Sequence, residues 1–191
     1  LDLTIYQDAE ELIEVLVEEI IDGILFGISE KGRFDLVLTG GTLGVAVATA
    51  LKDTFLKTPE KFDGLHIWWS DERFVDTESP ERNAVSLHNL LNATPIRVHE
   101  TLAPNSPATV DEAVNDYESQ LSGVAIDLNI LGVGPDGHVA SLFPGIADFD
   151  DQRDIFAITD SPKPPSQRIS FTMKFINEAR EVWIVAAGES K

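Results

Sequence analysis

His138 is the side chain whose surroundings best suit it to move a proton. It lies in GVGPDGHVASLFPG, residues 132–145, two positions after Asp136 and among several glycines. Imidazole titrates near neutrality, so it can accept a proton and return it. Glycine lets the backbone approach a ligand closely. The segment follows AIDLNIL, residues 125–131, an apolar run that reads as a buried strand. A strand feeding a glycine-rich loop delivers polar groups to the carboxyl edge of a sheet, where open α/β proteins bind ligands. Taken alone, Pro135-Asp136-Gly137 reads equally well as an ordinary turn with His138 as a cap.

Three other places carry chemistry-capable residues. LTGGTLG, residues 38–44, runs from a strand through Gly40, Gly41 and Thr42 into a helix start. Backbone N–H groups there can wrap a phosphate, although a simple tight turn has the same composition. It is neither a Walker loop nor a GxGxxG fingerprint. WWSDERFV, residues 68–75, brings Asp71, Glu72 and Arg73 out of an aromatic strand. An arginine held by neighbouring carboxylates can meet a phosphate, and the same cluster can be a surface ion pair. Arg168 opens RISFT and Lys191 closes GESK. Each is a candidate anion ligand or a solvated surface charge.

Charge sharpens these choices. The 191 residues carry 14 Lys and Arg against 33 Asp and Glu, a formal net charge of −19. That argues against nucleic-acid and anionic-membrane partners. An acidic protein that binds an anion must concentrate its few cations at one place. There is no cysteine, so disulfides and thiol catalysis are excluded, and a reducing cytoplasm is the expected location. The four histidines are scattered and give no zinc spacing, so no metal is expected. No apolar run approaches a membrane span, and the first residues are acidic where a signal peptide is basic. Leu1 is not an initiator, so residues ahead of it are expected.

The elements that must position these residues alternate between strand and helix. Asp8 with Glu11 resembles a capping box, followed by Leu12, Val15, Leu16, Ile20 and Ile24 at helical spacing. Further helices are expected over residues 43–51, 81–91 and 107–121, the last with Pro107 in its first turn. Strands are expected at residues 34–39, 65–70, 125–131, 155–159, 168–172 and 181–187. This alternation implies one α/β domain on a mostly parallel, doubly covered, Rossmann-like sheet. SPKPPS, residues 161–166, is the most linker-like stretch and is expected to form a rigid surface loop.

Together the segments resemble the 6-phosphogluconolactonase family, over nearly the whole chain. LTGGTLG resembles the family's Gly-Gly phosphate loop. SDERFV resembles its Asp-Glu-Arg motif, followed by Glu81-Arg82-Asn83. GVGPDGHVASLFPG resembles its most specific signature, PPSQRISFT its Pro-x-x-Arg-Ile-Ser strand, and AAGESK its late Gly-x-x-Lys. The departures are Leu43-Gly44 at the helix opening and Val139 where threonine is usual. Family members continue past this lysine, so residues 1–191 are expected to be a single domain lacking its last helix and strand.

The resemblance implies a fold of the sugar-phosphate isomerase/lactonase type and hydrolysis of 6-phospho-D-glucono-1,5-lactone to 6-phosphogluconate. It implies no cofactor and no metal, a small-molecule sugar-phosphate lactone as partner, and a monomer. His138 is the base and Asp136 orients it, with Gly134 and its neighbours placing the lactone. Gly40, Gly41, Thr42, Arg73, Arg168 and Lys191 hold the phosphate. Asp71 orients Arg73 or binds sugar hydroxyls. A serine nucleophile is not expected, since Ser141 lies in no G-x-S-x-G elbow. Two other readings compete. A hexosamine-6-phosphate deaminase/isomerase wants a carboxylate base, which Asp71 could supply. Its signature places a glutamate beside the histidine, however, and here Ser141-Leu142-Phe143-Pro144-Gly145 follows. A non-catalytic sugar-phosphate sensor would keep the phosphate grip and need an attached DNA-binding module.

Overall fold

The computed structural model describes residues 2–90, 93–106 and 108–188. Helix α1 spans Ala9–Lys31. The Asp8 side chain opens it by accepting from the N–H groups of Glu10 and Glu11 at 3.0 and 2.9 Å. Leu12, Leu16, Val17, Ile20 and Ile24 recur on one face and are buried. There follow β1 (Phe34–Leu38), α2 (Gly41–Lys57), a 3-10 turn (Pro59–Phe62), β2 (Leu65–Trp69) and β3 (Asp71–Arg73). Next come a 3-10 segment (Ala84–Leu90), β4 (Arg97–Val98), α3 (Val110–Leu121) and β5 (Leu128–Gly132). The chain continues through β6 (Ile155–Ile158), β7 (Arg168–Phe171), α4 (Met173–Glu178) and β8 (Glu181–Val185).

A parallel sheet runs in the order β4-β2-β1-β5-β8. Alternation along its strands divides the core between its two faces. Leu36, Leu38, Ile67, Trp69 and Ile130 join a cluster with α1 and α2. Val37, Trp68 and Leu131 point the other way, into a cluster with α3, β6, β7 and α4. Removing a side chain such as Ile67 from water contributes about 1.5–3 kcal/mol, and Ile67 is fully buried. The mostly parallel, doubly covered α/β sheet stands.

Two expected strands lie elsewhere. β7 pairs antiparallel with both β3 and β6, in a separate sheet of order β3-β7-β6. Four-residue apolar strands look alike in sequence whichever sheet takes them. Ser70, the one residue between β2 and β3, couples the sheets. Its N–H donates to the Leu38 carbonyl and its own carbonyl accepts from Phe171, both at 2.9 Å. Other boundaries also shift. The helix expected at 43–51 extends over Gly41–Lys57, and 81–91 is a 3-10 segment at Ala84–Leu90. α3 starts later than expected because Thr109 and Glu112 form a capping box; Pro107 lies outside the described residues. The strand expected from Ala125 begins at Leu128.

Below the sheet's second face sits a histidine pair. His66 Nδ1 and His99 Nε2 lie 2.9 Å apart, and the His99 ring stacks on Trp68 with centroids at 3.6 Å. Burial pushes His99 down to about 4 and holds His66 below the usual histidine value.

Candidate active site

The site lies at the carboxyl ends of β1 and β5, against the second sheet. Three structural units build it. The first is the turn from β1 into α2. Gly40 is the N-cap residue and Gly41 opens the helix, so amide donors and the positive end of the helix dipole face outward. Gly40 has to be glycine, because a Cβ there would overlap the Asn83 carboxamide. Asn83 is itself fixed, its Nδ2 donating to the Asp71 carbonyl at 2.8 Å.

The second unit is the β3–β7 pair. Its register sets Asp71 opposite Ser170 and Arg73 opposite Arg168, so these four leave the same face. Glu72 and Ile169 leave the other. There the buried Glu72 carboxylate accepts from the N–H groups of Arg73, Asn83 and Ala84 at 2.8, 2.7 and 2.9 Å. Burial nonetheless pushes Glu72 up to about 7, opposed by Arg82 and those amides. Glu72 thus fixes the backbone that carries Arg73. Asp71 does not orient Arg73, as the sequence suggested. Its Oδ2 accepts from Ser141 Oγ at 2.7 Å and faces Arg168 Nη1 at 3.6 Å. Arg73 Nη1 donates instead to the Glu81 carbonyl at 2.6 Å, and its buried Nε has no partner.

The third unit is the loop after β5. The Gly134 N–H donates to the His138 carbonyl at 2.9 Å, closing a tight turn. Inside it, His138 Nδ1 and Asp136 Oδ1 are 2.6 Å apart. That bond puts the proton on Nδ1 and leaves the Nε2 lone pair free. The His138 hydrogen bond, with Lys163 adding to it, holds Asp136 down at about 2. A Cβ on Gly134 would land on the His138 ring. The Phe143 ring packs against that ring at 4.5 Å between centroids.

These units enclose a cleft of about 250 Å³. Gly40, Gly41, Thr42, Asp71, Arg73, Gly134, His138 and Arg168 all line it. Asp136 stands behind His138. Lys191 lies outside the described residues. Among those residues, no group of three or more His, Cys, Asp or Glu side chains is arranged to hold a metal ion, and no helix is long and apolar enough to cross a membrane.

Two findings go beyond the sequence reading. Residues 161–166 are more than a surface loop, since Lys163 lines the cleft and its Nζ reaches Asp136 Oδ1 at 3.2 Å. The available signal was a lysine among prolines just ahead of Arg168. Arg168 is 4% exposed, and its Nε and Nη2 donate to the Pro165, Lys163 and Pro164 carbonyls at 3.2, 3.2 and 3.1 Å. Only its Nη1 edge remains toward Ser141 and Asp71. Burial holds its pKa below the usual guanidinium value, with Asp71 opposing. The cleft therefore sets an imidazole with a free ring nitrogen beside two guanidinium groups and the start of α2. Asp71, the carboxylate an isomerase would need as base, is buried and already bonded.

The chain is similar to known proteins in sequence and in fold. Residues 7–191 match the family model described as glucosamine-6-phosphate isomerases/6-phosphogluconolactonase. A 6-phosphogluconolactonase of Streptomyces coelicolor is 36% identical over 208 residues, spanning 99% of this chain and 79% of that protein. The crystal structure of 6-phosphogluconolactonase from Thermotoga maritima superposes with a TM-score of 0.79 at 27% identity, over 93% of this chain and 81% of that one. A monomeric glucosamine-6-phosphate deaminase shares the fold, with a TM-score of 0.76 at 17% identity over 100% of this chain and 84% of that one.

Proposed function

The chain belongs to the family of glucosamine-6-phosphate isomerases and 6-phosphogluconolactonases, and from that premise we propose that it hydrolyses 6-phospho-D-glucono-1,5-lactone to 6-phospho-D-gluconate. That is the lactone-opening step of the oxidative pentose phosphate pathway. The observation that carries the reading is the 2.6 Å His138–Asp136 pair on a cleft whose other wall holds Arg73, Arg168 and the start of α2. The cation cluster stands out in a chain of net charge −19.

In this mechanism His138 Nε2 takes a proton from water as the water oxygen attacks the lactone carbonyl carbon. Asp136 stabilises the imidazolium that forms. Collapse of the tetrahedral intermediate breaks the bond to the ring oxygen, and His138 returns its proton there. The phosphate, remote from the reacting carbon, rests on the amides of Gly40, Gly41 and Thr42 and on Arg73. Arg168 Nη1 and Lys191 complete the grip. Anchoring that end makes the attack nearly unimolecular and lowers its entropic cost. Gly134 leaves room for the ring beside His138. The partner is thus a small sugar-phosphate lactone, met by a cytoplasmic monomer without nucleic-acid or membrane partners.

The test follows freshly generated 6-phosphogluconolactone by proton release, with spontaneous opening subtracted. The wild type accelerates the loss, and His138→Ala lowers kcat by about a hundredfold or more, the range of a general base. A wild type no faster than buffer overturns the assignment.

A further inference from the structure

Lys163 has no part in the mechanism above, yet its ammonium sits beside the base. Nζ lies 3.2 Å from Asp136 Oδ1 and 3.3 Å from His138 Nδ1, and 5.7 Å from the centre of the Phe143 ring that packs on His138. The loop that brings it there is firmly tied. The Lys163 carbonyl accepts from Ser161 Oγ at 2.9 Å, and the Ser161 N–H donates to the Ser166 carbonyl at 2.9 Å. Arg168 clamps three successive carbonyls of the same loop. The Lys163 side chain is 41% exposed, yet its ammonium lies against Asp136 and His138.

We propose that Lys163 is a positioning residue for the proton transfer: it keeps Asp136 on the Nδ1 side of His138 and drives the proton held at Nε2 on to the ring oxygen. The argument is one of charge. With neutral His138, Asp136 and Lys163 cancel. Once Nε2 has taken the water proton, an imidazolium stands beside an ammonium. Asp136 attracts the new charge and Lys163 repels it, so the imidazolium is stabilised enough to form and not enough to persist. Among the described residues, the other charged groups lining this cleft are Asp71, Arg73 and Arg168. Asp71 and Arg168 face each other, and Arg73 is tied to the Glu81 carbonyl, so among the described residues Lys163 is the cation in contact with His138.

The inference rests on the lactonase reading, and its test separates the two. Lys163→Met and Lys163→Arg are compared with wild type in kcat, KM and the pH dependence of kcat/KM, and by NMR titration of the His138 ring. With Lys163→Met, kcat falls about tenfold, within the range of assistance to a general base, and KM stays within about twofold. Loss of a cation at this distance moves the acid limb, and the ring titration, to higher pH. Lys163→Arg restores most of both. An unmoved acid limb and ring titration overturn the proposal. A raised KM with unchanged kcat also overturns it, and makes Lys163 a substrate ligand. If the wild type hydrolyses no lactone, the function falls, and the ring titration still decides whether Lys163 acts on His138.

Discussion

Arg73 and Arg168 stand directly opposite each other across β3 and β7. Like charges in that relation repel. Asp71, 3.6 Å from Arg168 Nη1, offsets part of the repulsion. An anion in the cleft would offset the rest, as a bound substrate phosphate is proposed to do. The two are not equivalent, because Arg168 gives three of its five N–H groups to the 161–166 loop.

Substitution should separate their roles. Arg73→Ala removes a charge-assisted contact of roughly 1.5–3 kcal/mol. It should lower kcat/KM for the phosphorylated lactone about 10- to 100-fold and leave slow turnover of gluconolactone unchanged. Arg168→Ala should harm both lactones, since the loop and Lys163 come loose. It should also lower Tm, because Asp71 is left buried and unpaired; Arg168→Lys is the milder check. If Arg168→Lys affected only the phosphorylated substrate, Arg168 would be a plain phosphate ligand.

Gly134→Ala should act as a remote His138 mutant. The new methyl occupies the space of the imidazole, so the ring must leave Asp136. The expected result is a fall in kcat of about a hundredfold, with affinity for 6-phosphogluconate nearly unchanged by calorimetry. Near wild-type turnover would show that the 134–138 turn yields easily and does not fix the base.

Acid should unfold the protein partly through its histidine pair. His99 is held at about 4, and His66 is also lowered, against an unfolded value near 6.5. Both are neutral in the fold. Above about pH 6.5 folded and unfolded states bind the same protons at these sites. As pH falls from there toward 4, only the unfolded chain gains protons, and stability is lost. After discounting for partial solvent access, His99 contributes roughly 1–2 kcal/mol of that loss. Glu72, raised to about 7, acts oppositely, with stability lost as pH rises from about 4.5 to 7. In His99→Phe, urea midpoints measured from pH 7 to 4.5 should decline less steeply than in wild type. Parallel curves would remove His99 as the cause.

What could be read in the sequence was what is local in it. His138 and Asp136 are two residues apart, and a turn alone brings them together. The Gly40-Gly41 turn follows its strand directly. The chain's division between two sheets was not legible, because β3 is three residues long and follows β2 after only Ser70. Nor was the Asp71–Ser141 bond, which joins segments distant in sequence through β7. Lys163 escaped notice because a guanidinium from the following strand sets its loop. The buried Glu72 looked like a surface acid, since only the fold supplies the amides it accepts from.

The single-residue passage through Ser70 bears on selectivity. Ser70 is bonded to strands of both sheets, and residues carried by both line the cleft. Held at that short junction, the cleft would work as a ruler. A lactone must bridge a fixed span to set its phosphate on α2 and Arg73 and its carbonyl beside His138. Sugar phosphates of other chain lengths should then be rejected by reach, before any single hydroxyl is read.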